Sequence, residues 1–233
     1  MRGLCNGLKR NYDGGRLAKP APVNPESPTM QSFAALLDTL NAATPERKPA
    51  IAQLVRDAFQ RHKVVLALDM SGFTLTVRRE GILAYLCQIR RMHLLTQPIV
   101  LAHGGSVVKN EADNLLAVFD DPTHAVNAAL AMMDAAAATV EGEAPAIAFS
   151  IGIDQGDILL IAQVDCFGDA VNLAFKLGED IARAGEVLVT ERIRAAVLAN
   201  TGTDYTATPA FAEMTVSVSG LPVLAYAVSR AGA

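Results

Sequence analysis

From Phe33 onward apolar positions recur at helical spacing. A second helical pattern, carrying Ile51, Leu54, Val55, Ala58 and Phe59, follows Thr44-Pro45-Glu46, where Thr44 suits an N-cap and Pro45 the first helical position. The period then changes. Val64-Val65-Leu66-Ala67-Leu68 is a continuous apolar run that reads as a buried strand, ending at Asp69 and the turn-forming Ser71-Gly72-Phe73-Thr74. A long helical stretch runs from about Arg79 to Val100, and His103-Gly104-Gly105 turns the chain into two hairpin strands, Ser106 to Asn110 and Asn114 to Phe119. Asp121-Pro122 opens an alanine-rich helix from Thr123 to Thr139. Beyond it the pattern predicts a strand pair, Ile147 to Ile153 and Ile158 to Ala162, separated by Asp154-Gln155-Gly156-Asp157. A helix from Asp169 to Ala184, a strand from Glu186 to Thr190 and closing strands Met214 to Val218 and Leu224 to Val228 complete it. Hairpins without internal repeats predict an α+β fold, a mostly antiparallel sheet flanked by helices.

Composition bounds this picture. With 233 residues, 51% apolar and 19% charged, the chain can build one ordinary domain plus extensions. The opening segment, through Lys19-Pro20-Ala21-Pro22-Val23-Asn24-Pro25, is rich in turn formers and reads as disordered, or as preceding a working start at Met30. The expected organisation is therefore residues 1–29 disordered, 30–62 a helical extension and 63–230 the main domain. The extension either receives a signal from an upstream regulatory partner or covers one edge of the core. The net charge of −4 is spread along the chain, without the basic patch that nucleic acid requires. Cys5, Cys87 and Cys166 are isolated, as in a reducing compartment, and no run reaches the roughly 18 uncharged apolar residues of a membrane span. A soluble, cytoplasmic protein is expected.

Two carboxylates carry the first candidate chemistry. Asp69 and Asp113 sit at the ends of apolar strands, where an ionised group is costly unless something binds it. Mg²⁺ is usually held by one or two carboxylates with substrate phosphates and water, so this pair beside the amides of Gly72-Phe73-Thr74 suits a metal–triphosphate site. The plainer alternative has Asp69 capping the turn and Asp113 exposed at the hairpin. His62, His93, His103 and His124 fall in helical or turn contexts without evident partners and receive no catalytic role.

Three stretches then resemble one family, the class III adenylate and guanylate cyclases. Leu68-Asp69-Met70-Ser71-Gly72-Phe73-Thr74 is similar to that family's metal-binding opening, and Lys109-Asn110-Glu111-Ala112-Asp113 resembles its Lys-x-x-Gly-Asp hairpin. Asp165-Cys166-Phe167-Gly168-Asp169-Ala170-Val171-Asn172-Leu173-Ala174-Phe175-Lys176 resembles its Gly-x-x-Val-Asn-x-Ala-x-Arg helix start. The resemblance implies the ferredoxin-like class III nucleotide cyclase fold and a head-to-tail homodimer with a shared site. In it Asp69 and Asp113, with the Met70 carbonyl, hold two divalent ions, Mg²⁺ or Mn²⁺, and Gly72, Phe73 and Thr74 lie against the phosphates. From the other copy, Lys109 and Asp165 read the base. Asn172 orients the ribose, and Lys176 meets charge developing on the phosphates. An acceptor and a donor so paired match adenine, which implies conversion of ATP to cyclic AMP.

Three departures leave other readings open. Lys176 replaces the family's arginine and cannot make its two-pronged phosphate contact. Asp157 stands where many members carry a phosphate-contacting arginine, and Ala112 replaces the glycine before Asp113, a strain if that position needs a positive φ. A catalytically weak or inactive nucleotide sensor is the alternative, as is a cyclase for GTP, with Glu111 as the acceptor, or for a pyrimidine nucleotide.

Overall fold

A computed structural model describes residues 29–139, 147–200 and 209–230. The chain opens with α1 (Met30–Ala42) and α2 (Lys48–Phe59), and α2 passes directly into β1 (Gln60–Met70). Next come α3 (Phe73–Glu80), α4 (Ile82–Ala102), the hairpin β2 (Ser106–Glu111) and β3 (Asn114–Phe119), and α5 (Pro122–Ala138). The second half holds β4 (Phe149–Ile161), β5 (Asp165–Phe167), α6 (Asp169–Phe175) with a π-helical continuation over Lys176–Ile181, β6 (Val187–Thr190), α7 (Glu191–Ala199), β7 (Pro209–Val218) and β8 (Leu221–Arg230). The sheet order is β2-β3-β1-β4-β6-β8-β7, with β5 paired to the far end of β4. Every pairing is antiparallel except β4 with β6.

The uninterrupted apolar run of β1 is explained by its place, third in the sheet and covered on both faces. Val64, Leu66 and Leu68 point into the core built with Tyr85, Met92 and Val100 of α4 and the alanines of α5. Val65 and Ala67 point the other way, toward Ala170, Val171 and Ala174 of α6. All five are exposed by 2% or less, so a polar residue at any of them would be buried without water. The seating of α6 is set by close backbone approach. A Cβ on Gly152 would lie 2.0 Å from the Ala174 carbonyl oxygen, and one on Gly178 would lie 2.7 Å from the Gly152 nitrogen. Two glycines thus let the α6 segment, and the side chains it carries, rest directly on β4.

Phe33 of α1 and Val55 and Phe59 of α2 pack with Ile161 of β4, and the Phe33 ring stacks on Phe167 of β5 at 5.7 Å. The extension therefore touches the strand that begins at Asp165. Among the described residues, no helix is long and apolar enough to cross a membrane.

Several local expectations need correction. Thr44-Pro45-Glu46-Arg47 forms a turn closed by the Arg47 and Lys48 amides on the Thr44 carbonyl, so α2 starts at Lys48 with Pro49 in its first turn. The helix expected from Arg79 begins earlier and breaks at Gly81, where φ is 89°. Asp154-Gln155-Gly156-Asp157 is no turn: β4 runs through it, pairing Val64 with Gln155 and His62 with Asp157. The helix from Asp169 widens into a π-helix at Lys176 and ends at Ile181, and α7 was not expected at all. The disorder expected for residues 1–29 lies outside the described residues except at Thr29, which caps α1 by accepting from the Ser32 amide.

Candidate active site

The two aspartates come together because β1 and β3 are neighbours. Asp69 pairs in register with Asn114, and the Met70 amide donates 3.2 Å to the Asp113 carbonyl. Burial first, then the charges of Asp113 and Glu179, push the Asp69 carboxyl up to about 6. With the amide of Asn114 turned to satisfy both its ends, its nitrogen donates 2.6 Å to Asp69 Oδ1 and 3.3 Å to the Leu68 carbonyl. Tyr85, 1% exposed on α4, donates 2.7 Å to Asp113 Oδ2. Among the described residues no lysine or arginine pairs with Asp69 or Asp113. An all-oxygen donor set with repelling carboxylates fits a hard divalent cation better than it fits a free protein surface. The Met70 side chain is buried, so its backbone carbonyl alone is chemically suited to join them.

Next to this pair Gly72, at φ 95°, turns the chain into α3, so Phe73 and Thr74 are the first two residues of a helix. Both residues are exposed, and their amides belong to a helix N-terminus, which favours anions. The Phe73 ring stands edge-on to Tyr85 at 4.9 Å.

Lys109 and Asp165 are also brought together. A register shift between Val107 and Lys109 re-aims the lysine, whose Nζ donates 3.0 Å to Asp165 Oδ2 and lies 3.0 Å from Glu111 Oε2. Burial alone would lower the lysine, but its hydrogen bonds with Glu111 and Asp165 outweigh that and hold it above its ordinary value. The adjoining cavity, lined by Lys109, Glu111, Asn114, Leu116 and Phe175, measures about 30 Å³, room for a water and not for a nucleobase.

Asn172 is exposed on α6, and the Lys176 amide donates to its carbonyl, so the two residues share a face. The Lys176 ammonium pairs with Asp180 at 2.5 Å. Asp157 is bound by Gln60 Nε2 and His62 Nδ1, each at 2.9 Å, so His62 lies on a strand with a carboxylate partner, contrary to expectation. Ala112 has φ 50°, so its position does require the left-handed conformation.

Sequence reasoning missed Tyr85, Asn114, Glu179 and the pair Asp154–Arg192. Asn114 had a signal, since it follows Asp113 at a strand start. Tyr85 had a weaker one, a phenol in a buried stripe of α4 that also holds Gln88, Met92, Thr96 and Val100. Glu179 had none, because the π-helical segment brings it round.

No family model matches the chain. A stretch of 148 residues, 63% of the chain, is 30% identical to "Putative adenylate cyclase 3" of Rhizobium meliloti (strain 1021), and it spans 25% of that protein's length. Among solved structures, an adenylate/guanylate cyclase/hydrolase from Silicibacter pomeroyi matches with a TM-score of 0.60 at 27% identity, over 72% of this chain and 96% of that one. The catalytic core of a rhodopsin-guanylyl cyclase with converted specificity, in complex with ATPαS, matches with a TM-score of 0.61 at 20% identity, over 73% and 97% respectively.

Proposed function

We propose that this chain, whose fold is that of solved adenylate/guanylate cyclase domains, is a class III cyclase catalytic domain that converts ATP to 3′,5′-cyclic AMP and pyrophosphate as a cytoplasmic homodimer. Residues 63–230 are the catalytic domain in this reading and residues 30–62 its regulatory extension. The observation that carries adenine over other bases is the Lys109–Asp165 pair, held 3.0 Å apart. Its carboxylate accepts from the exocyclic amine of adenine and its ammonium donates to a ring nitrogen. The 30 Å³ cavity beside the pair holds no base in one chain, which supports a site completed by a second copy.

In this mechanism Asp69, Asp113 and the Met70 carbonyl of one copy hold the divalent cations, Mg²⁺ or Mn²⁺. When bound, these supply neutralising charge for the triphosphate and acidify the ribose hydroxyl. The amides of Gly72, just ahead of α3, and of Phe73 and Thr74, its first two residues, take phosphate oxygens. From the other copy, Lys109 and Asp165 fix the base and Asn172 orients the ribose, so that the 3′-oxygen faces the α-phosphorus in line. Its attack forms the O3′–P bond, breaks the bond to the β-phosphate oxygen and releases pyrophosphate, and the hydroxyl proton leaves to water. Lys176 offers its charge to the phosphorane-like oxygens once it leaves Asp180.

Two observations favour neighbouring readings. Glu111, 3.0 Å from Lys109, offers the acceptor that guanine requires. The neutralised Lys176 and the negative Asp157 suit a domain that binds nucleotide with little turnover. Incubation with ATP, GTP, CTP and UTP in Mn²⁺ and in Mg²⁺, followed by mass spectrometry, separates them. Cyclic AMP as main product supports the proposal, another cyclic nucleotide overturns the base assignment, and nucleotide binding without product favours the sensor.

A further inference from the structure

Each carboxylate of the candidate metal pair accepts one hydrogen bond from a neutral donor of the same chain. For Asp69 the donor is Asn114, next to Asp113 in sequence. For Asp113 it is Tyr85, 28 residues away on α4. Asp113 sits in a hairpin, behind an alanine in the left-handed conformation, with its side chain only half-buried. Left to itself such a carboxylate samples several rotamers, and a cation binding it must first select one. Tyr85 removes that freedom. Its ring is buried beneath the hairpin, so the hydroxyl position is fixed by packing against the core shared by β1, β3 and α4. The phenol needs an acceptor when buried and the carboxylate has oxygens to spare, so the bond satisfies both.

From this arrangement we propose that Tyr85 is a positioning residue for the divalent cation. It ties Asp113 by Oδ2 and leaves Oδ1 for the metal, setting the carboxylate before the cation arrives. The edge-on contact of Phe73 with the Tyr85 ring at 4.9 Å joins the same tyrosine to the start of α3. One buried side chain thus aligns the candidate cation ligand with the helix end assigned to the phosphates. The inference rests on the reading of Asp69 and Asp113 as metal ligands.

Tyr85→Phe keeps the ring and its contact with Phe73 and removes only the hydroxyl. Mn²⁺ titration of the full chain, read by the electron paramagnetic resonance of free Mn²⁺, is expected to show affinity roughly tenfold weaker, as when an outer-shell hydrogen bond to a ligand is lost. In turnover, the Mn²⁺ concentration at half-maximal rate rises by the same factor, while kcat at saturating Mn²⁺ and KM for ATP stay close to the parent. A merely structural role would move the melting temperature and leave the Mn²⁺ titration alone. Asp113→Ala measured in parallel separates the two levels. If it abolishes Mn²⁺ binding and Tyr85→Phe changes nothing, the positioning role is wrong and the metal reading stands. If Asp113→Ala leaves Mn²⁺ binding intact, both fall.

Discussion

Two aspartates on adjacent strands solve the problem of a partly or wholly buried charge in opposite ways. Asp154 of β4 is 0% exposed, yet its surroundings answer it. Thr190 donates to it at 2.5 Å, and Arg192 binds it through both Nε and Nη2. Burial still raises its carboxyl above the usual range, but those donors pull it back. Asp69 of β1 is less buried and worse served: its neighbours are an amide and two further carboxylates, and its carboxyl rises to about 6. The first arrangement is closed, with a hydroxyl donor supplied from β6 and the positive partner from α7. The second is open: among the described residues no lysine or arginine pairs with it, and in the proposed reading a bound divalent cation is its partner. Burial alone therefore does not single out a candidate functional carboxylate; a carboxylate pair with no cation beside it among the described residues does.

The largest effects should come from breaking each arrangement at its charge. Asp69→Ala is expected to lower metal-dependent cyclic nucleotide formation by more than about a hundredfold, beyond what an outer-shell loss costs, with folding intact. Activity near the parent level in that variant ends the metal assignment. Mixing it with Asn172→Ala protein should recover activity from the mixed dimer, because in the proposed dimer the two residues serve one site from different copies; two folded, exchanging variants that fail to complement rule out the shared site. Arg192→Ala leaves a buried carboxylate without its cation and should cost about 3 kcal/mol in urea denaturation. A loss below about 1 kcal/mol would show that Thr190 and water suffice for Asp154.

The same contrast explains what was legible in the sequence. The strand Val64–Leu68, the β2–β3 hairpin and the helix after Asp121 are punctuated by turn residues and caps within a few positions, so local reading found them. Asp69, Asp113, Lys109 and Asp165 were visible because a motif fixes them, and the fold does bring each pair together. Asp154-Gln155-Gly156-Asp157 has the composition of a turn and was read as one. What keeps it in a strand is its ladder with β1, and what lets Asp154 be buried there is Thr190 and Arg192, 36 and 38 residues further on; no local pattern records either. Tyr85 was missed for the same reason, its acceptor being separated by most of α4 and a strand. Long-range partners that satisfy a charge are what the sequence hides.

A smaller effect is expected from pH. The folded, metal-free chain holds the Asp69 proton more tightly than the unfolded chain, whose carboxyl titrates near its ordinary value of 3.8. This group's contribution to stability is therefore fully present below about pH 4 and lost as pH rises through about 6. The metal-free protein should melt lower at pH 7.5 than at pH 5 by an increment that Asp69→Asn removes. Because a cation competes with that proton, the rise in melting temperature on adding Mn²⁺ should shrink below about pH 6. An Mn²⁺ increment that stays constant from pH 5 to pH 7.5 contradicts this.

The smallest expected change tests the strain beside the open site. Ala112 stands at φ 50°, where an L-residue costs roughly 1–2 kcal/mol that glycine does not incur. Glycine gives back part of this through the greater freedom of its unfolded chain, roughly 0.5–1 kcal/mol. Ala112→Gly should then stabilise the protein by about 0.5–1 kcal/mol, read as a higher urea midpoint with an unchanged slope. Ala112→Val adds β-branching to the same φ and should shift the midpoint the other way. The pair of variants also separates strain from function. If Asp113 is held by Tyr85 rather than by the hairpin backbone, relieving the strain at Ala112 leaves Mn²⁺ affinity unchanged while stability rises. If affinity moves with the midpoint, it is the hairpin that aims the carboxylate.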